Sequence, residues 1–99
     1  MKFGMQAILT AAPGKGYELA EIMLKASQVV ARLDGCELYI IQQSTSEESK
    51  ILITEVWDSM QSHQASLETT EVQNIIAEAK PMIVDMEHHP AKCLGGHGL

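Results

Sequence analysis

The chain is poor in aromatic residues, cysteine and positive charge, and it has no long apolar run. Among 99 residues there are one Trp, two Tyr and one Phe, so six methionines and many aliphatic side chains must fill the interior. Such a lining adapts to irregular shapes. The two cysteines, Cys36 and Cys93, lie far apart and form no CxxC pair. Disulfide scaffolds use denser cysteine, so both read as free thiols of a reducing cytosol. Lys and Arg number 7 against 13 Asp and Glu, a formal net charge of -6, and the basic residues are scattered. An acidic surface repels phosphate backbones and anionic lipid, which removes nucleic acid and membrane from the expected partners. Nothing approaches the roughly 20 apolar residues of a membrane helix, and the alternating residues 1–6 do not resemble a secretory leader. A cytoplasmic protein is expected, with one domain over residues 1–99.

Period-two alternation marks residues 2–11 as a strand, with Phe3, Met5, Ala7 and Leu9 on one face and Gly4, Gln6, Ile8 and Thr10 on the other. Ala12-Pro13-Gly14 breaks it. From about residue 14 to 33 the period becomes helical: Leu19, Ile22, Met23, Ala26, Val29, Val30 and Leu33 form one stripe, and Asp34-Gly35 ends it. Residues 36–43 and 50–57 read as strands joined by a short polar link, hence an antiparallel hairpin. A short helix from residue 60 to about 67 follows. Thr70 and Gln73, spaced as a capping box, open another that Pro81 stops. Residues 82–88 read as the last strand and residues 90–99 as an extended arm. The order is β-α-β-β-α-β, a ferredoxin-like α+β fold with an antiparallel sheet and a second helix broken in two.

Helices cover one face of such a sheet, and the other should be polar if it stays wet. Here Ile51, Ile53 and Trp57 share one face of their strand while Leu52 and Val56 occupy the other; Leu38 and Ile40 likewise oppose Tyr39 and Ile41. Two apolar faces imply two covers, and a second copy of the chain is the simplest cover for the second. A short chain often completes its core in that way.

The segment Thr54-Glu55-Val56-Trp57-Asp58-Ser59, followed by Ser62-His63-Gln64-Ala65-Ser66-Leu67, resembles the antibiotic biosynthesis monooxygenase family, the cofactor-free quinol monooxygenase group. Ala12-Pro13-Gly14-Lys15, Asp34-Gly35-Cys36, Val72-Gln73-Asn74-Ile75-Ile76, Ala79-Lys80-Pro81-Met82-Ile83 and Gly95-Gly96-His97-Gly98 extend the likeness over nearly the whole chain. The resemblance implies a homodimeric α/β barrel, joined through the sheet face and the C-terminal arm, with a cleft between sheet and helices in each subunit. It implies oxidation of aromatic quinols by O2 without a cofactor. Relatives that break down haem carry a ligating His in the region of residues 72–77; none stands there in this chain, so haem chemistry is not expected. The family's usual His falls nearer the position of Ser66.

Glu55 and Trp57, two apart on a strand, project to one face, and His63 follows in the next helix. Together they suit one pocket: His63 as base, Glu55 as its orienting partner, Trp57 as an aromatic wall. Deprotonating a phenol makes the electron-rich anion that oxygen attacks, and imidazole suits that transfer. Bland readings stand beside these: core packing for Trp57, an ion pair for Glu55, an exposed helix turn for His63. Tyr39 and Gln6 are further candidates for substrate binding. Adjacent residues of a strand point to opposite faces, so His88 and His89 do not share an ion, and no metal is expected. The expected function is a cofactor-independent monooxygenase of a quinol-like or polyphenolic molecule. The rivals are an isomerase or lyase of a small oxygenated metabolite and a non-catalytic ligand-binding module.

Overall fold

The computed structural model describes all of residues 1–99. Strand β1 (Phe3–Ala11) leads to helix α1 (Gly16–Val30), then to the hairpin of β2 (Cys36–Gln43) and β3 (Lys50–Trp57). Two short helices, α2 (Met60–Ser66) and α3 (Thr70–Ala79), and a single 3₁₀ turn (Lys80–Met82) precede β4 (Ile83–Lys92). The strands form one open antiparallel sheet in the order β2-β3-β1-β4. This is the ferredoxin-like α+β arrangement, with three helices on one face.

Register decides which side chains face the helices. Ala7 lies opposite Ile53 on β3 and His88 on β4, and Ile53 lies opposite Ile41 on β2. Directly opposed residues share a face, so Met5, Ala7, Leu9, Ile51, Ile53 and Tyr39 turn toward the helices. Leu19, Ile22, Met23 and Ala26 of α1 and Ile75 and Ala79 of α3 complete this core. A second, smaller cluster joins Val30, Trp57 and Val72, with Trp57 fully buried. On the other face Ile8, Leu38, Leu52 and Val56 form an apolar patch with Ile40, which is 42% exposed. Asp85, Glu87 and His89 of β4 make the remainder of that face polar and exposed.

Three local expectations shift. The strand β4 runs on through His89, Pro90, Ala91 and Lys92, so the extended arm starts at Cys93, whose N–H donates to the Lys2 carbonyl at 3.1 Å. Pro90 is admitted because β4 is an edge strand, where a missing N–H leaves no ladder bond broken on the open side. The first helix is shorter than its apolar stripe, ending at Val30 with residues 31–34 in turns. Thr69, not Thr70, caps α3: its backbone is extended (φ -71°, ψ 144°) and its hydroxyl accepts from the Val72 N–H at 3.3 Å.

Gly35 sets the entry to β2. Its φ of +87° lies in the left-handed region, and a Cβ there would stand 2.5 Å from the Asp58 carboxylate and from the Ser62 hydroxyl. Its carbonyl accepts the Asp58 N–H at 2.8 Å. Glycine thus lets the start of β2 press against the start of α2, the helix that carries His63.

Candidate functional site

Between the sheet and the helices lies a cavity of about 290 Å³, apolar for the most part. Its floor is Met5, Ala7 and Leu9 of β1, with Tyr39, Ile53 and Glu55 from β2 and β3. Its roof is Met23, Ala26 and Val30 of α1 with Val72, Ile75 and Ala79 of α3. Leu67, Ile76, Lys80, Met86 and His88 also line it and are exposed, which puts the mouth between the two short helices and the edge strand β4.

Glu55 interrupts the apolar floor. It is a buried carboxyl, directly opposite Tyr39 on β2 and Met5 on β1. One oxygen, Oε1, accepts the Trp57 indole N–H at 2.9 Å and stands 3.7 Å from His63 Nε2. Trp57 does not line the cavity. It is fully buried two residues along the same face of β3 and holds that oxygen by its indole N–H, so its place differs from the wall expected of it.

His63 reaches the cavity from α2. Ser59 caps this helix by accepting the Ser62 N–H at 3.1 Å, and the turn that follows presents His63 inward. The imidazole is buried, with its ring centroid 5.0 Å from that of Phe3 and 5.8 Å from the edge-on Trp57. One turn later Ser66, also buried, faces the same cavity and donates to the His63 carbonyl at 2.6 Å. The positions of His63 and Ser66 therefore lie on one side of one helix, and a side chain at either reaches the same space.

Burial governs the charges here. Desolvation raises the Glu55 carboxyl above its ordinary value, and the Trp57 hydrogen bond only partly offsets this. Desolvation lowers His63, and the nearby His88 lowers it further. Burial thus opposes the charged form of both groups, which face each other at 3.7 Å. Tyr39 is held well above the usual phenol range, first by burial and then by the neighbouring Glu55 and Cys36.

Of the five residues expected at a site, Glu55, His63 and Tyr39 line the cavity, and Trp57 is tied to it through its hydrogen bond to Glu55. Gln6 does neither: it lies on the opposite face of the sheet, exposed, across from Thr54. Two further residues belong to the arrangement. Phe3 packs against His63 with the two rings tilted by 38°, and its place follows from pairing with Trp57. His88 enters through its register opposite Ala7, which turns it to the helix face while His89 turns away. No group of three or more His, Cys, Asp or Glu gathers as a metal centre.

The comparisons with known proteins agree with this architecture. No curated protein matches the chain. A protein of Chloroflexus aurantiacus assigned to the antibiotic biosynthesis monooxygenases is 36% identical, with a TM-score of 0.90 over 99% of this chain and 98% of that one. One of Deinococcus radiodurans with the same assignment is 22% identical, with a TM-score of 0.85 over 100% of this chain and 98% of that one. SnoaB of Streptomyces nogalater, a cofactor-independent oxygenase, is 11% identical and shares the fold, with a TM-score of 0.86 over 99% of this chain and 98% of that one. The sequence profile of the antibiotic biosynthesis monooxygenases matches residues 3–78. With three quarters of its length inside that profile and its sheet, helices and cavity in place, the chain belongs to the antibiotic biosynthesis monooxygenase family.

Proposed function

We propose that the chain is a cofactor-independent monooxygenase, a homodimer that oxidises a quinol-like or polyphenolic molecule with O2 in the cavity between sheet and helices. The observation that carries this reading is the Trp57–Glu55–His63 chain at the floor of an apolar cavity. A buried acid beside a buried base is a weak source of stability, since replacing both together by well-packed apolar side chains is often neutral or stabilising. Perturbed titratable groups in a cavity are instead the mark of chemistry. A non-catalytic module would leave Glu55 and His63 turned to solvent; both are buried and turned inward.

In this reading His63 acts as the base. Its lowered pKa keeps the imidazole neutral near pH 7, ready to take the phenolic proton of a quinol. The Glu55 carboxylate, 3.7 Å away and held by the Trp57 N–H, stabilises the imidazolium that forms. The phenolate left behind is electron-rich and passes electrons to O2. One oxygen atom enters the product in place of two hydrogens, and these leave with the second atom as water. The substrate supplies all four electrons that reduce O2, so the reaction draws on no flavin, haem or metal. That SnoaB is a cofactor-independent oxygenase supports this assignment.

An oxygen electrode with a panel of hydroquinones and naphthoquinols tests the proposal. Oxygen uptake is expected, with kcat/KM rising along a limb whose apparent pKa lies below 6.5, the ordinary imidazole value. His63→Ala is expected to lower kcat/KM by about 10²–10⁴-fold, the usual contribution of a positioned base. No uptake with any quinol, or uptake indifferent to His63→Ala, overturns it. Turnover that continues without oxygen indicates an isomerase or lyase using the same pocket.

A further inference from the structure

The cavity is longer than one aromatic ring, and its two ends differ in charge. Along the floor, Met5, Ala7 and Leu9 of β1 span about 14 Å at about 3.4 Å per residue. Along the roof, the rise from Val72 to Lys80 is about 12 Å at 1.5 Å per residue. The two rulers agree. Glu55 lies opposite Met5 at one end, where Val72 packs with Trp57. Lys80 stands at the other, just before Met82, whose carbonyl accepts the Ala12 N–H, and Ile83, which pairs with Ala11, both beyond Leu9.

Lys80 is the cavity's one permanent cation, and no carboxylate of the chain pairs with it. Five of the seven basic residues are so paired: Lys2 with Glu37, Lys15 with Glu18, Lys25 with Glu78, Arg32 with Glu71 and Lys50 with Glu47. In a chain of net charge -6, a free lysine at the rim of an apolar cavity attracts an anion there. The far end, with the Glu55 carboxyl and no lysine or arginine, offers an anion no such partner. An elongated ligand with one anionic end is thereby oriented, its neutral polar end toward Glu55 and His63.

We infer that the substrate is an elongated phenolic acid: a hydroxylated ring at the Glu55–His63 end, an apolar body, and a carboxylate about 10–12 Å away at Lys80. This rests on the proposed oxidation of a phenolic ring and adds to it the charge and length of the molecule. A cavity of about 290 Å³ is at the small end of ligand sites and suits a body of one or two rings or a short chain.

The probes are 6-(2,5-dihydroxyphenyl)hexanoic acid and its methyl ester, titrated calorimetrically into the protein without oxygen, so that binding is read apart from turnover. The acid is expected to bind about tenfold more tightly than the ester, as a charged hydrogen bond at a partly dry rim allows. Added salt should shrink that preference. Lys80→Gln should abolish it and leave the ester's affinity unchanged, and Lys80→Arg should restore it. Equal binding of acid and ester, no binding of either, or a preference that survives Lys80→Gln overturns the inference. Failure here with oxygen uptake intact leaves the monooxygenase reading standing. A lysine-dependent preference without uptake sinks that reading and keeps a site for carboxylated phenols.

Discussion

At Glu55 two influences act on one carboxyl group, and burial wins. The Trp57 N–H at 2.9 Å favours the charged form, yet the net shift is upward because the group sits in an apolar floor. With a folded pKa above the ordinary 4.5, the folded state holds its proton more tightly than the unfolded one. Stability from this group is therefore complete below pH 4.5 and is lost as pH rises through the folded value. Glu55→Gln keeps an acceptor for the indole and removes the titration. It should leave the melting temperature at pH 7 unchanged or raised relative to wild type, with the gap closing at pH 4, while oxygen uptake falls. Glu55→Leu should instead lose about 1–3 kcal/mol, since the Trp57 N–H is left unpaired. Scanning calorimetry of both variants at the two pH values decides it. The pairing of Glu55 with Trp57 was legible as strand parity. The same parity sets Gln6 on the Gly4–Thr10 side of β1, away from the Met5–Leu9 side that lines the cavity, so its place was legible even though Gln6 stands among the candidates. Phe3 and His88 needed cross-strand register, which no single segment carries.

Among the elements, α2 is the one whose placement matters most to the site, and the turn before β2 holds it. Gly35→Ala adds a left-handed backbone penalty of about 1–2 kcal/mol. It also drives a methyl group to within 2.5 Å of the Asp58 and Ser62 side chains. Gly14 provides the control: its φ is also positive, +79°, but nothing lies within 4 Å of a Cβ there. Gly14→Ala should lower the melting temperature by about 4–8 °C, from strain alone. Gly35→Ala should lower it further and reduce activity, because α2 and His63 must shift; equal losses in the two variants would mean that the contact is relieved without moving α2. Helices and strands were readable here from clean periodicity, such as the Leu19–Val30 stripe. Their ends were not. The capping hydroxyl of α3 is one of two adjacent threonines, Thr69 and Thr70, and only backbone geometry separates them. The reach of β4 through Pro90 depends on its lying at the edge of the sheet, a fact of topology rather than of local sequence.

For the whole molecule, the outer face of the sheet has the composition of an interior, but of its apolar side chains only Val56 is buried within one chain. Ile8, Leu38, Ile40, Leu52 and Val56 lie together across three strands. Their counterparts on the helix face are buried by α1 and α3, and a second copy placed on this face would bury the patch in the same way. In a two-fold dimer each substitution acts twice. Ile40→Glu then loses about 1.5 kcal/mol of apolar burial per copy and adds a carboxylate to desolvate. Dimer affinity should fall by more than about 100-fold. Leu24→Glu, the same kind of change at an exposed position of α1, should leave the dimer intact. Sedimentation velocity should find wild type and Leu24→Glu as dimers and Ile40→Glu as a monomer with unchanged far-ultraviolet circular dichroism. A monomeric wild type, or an Ile40→Glu dimer, would assign the patch to something other than a second copy.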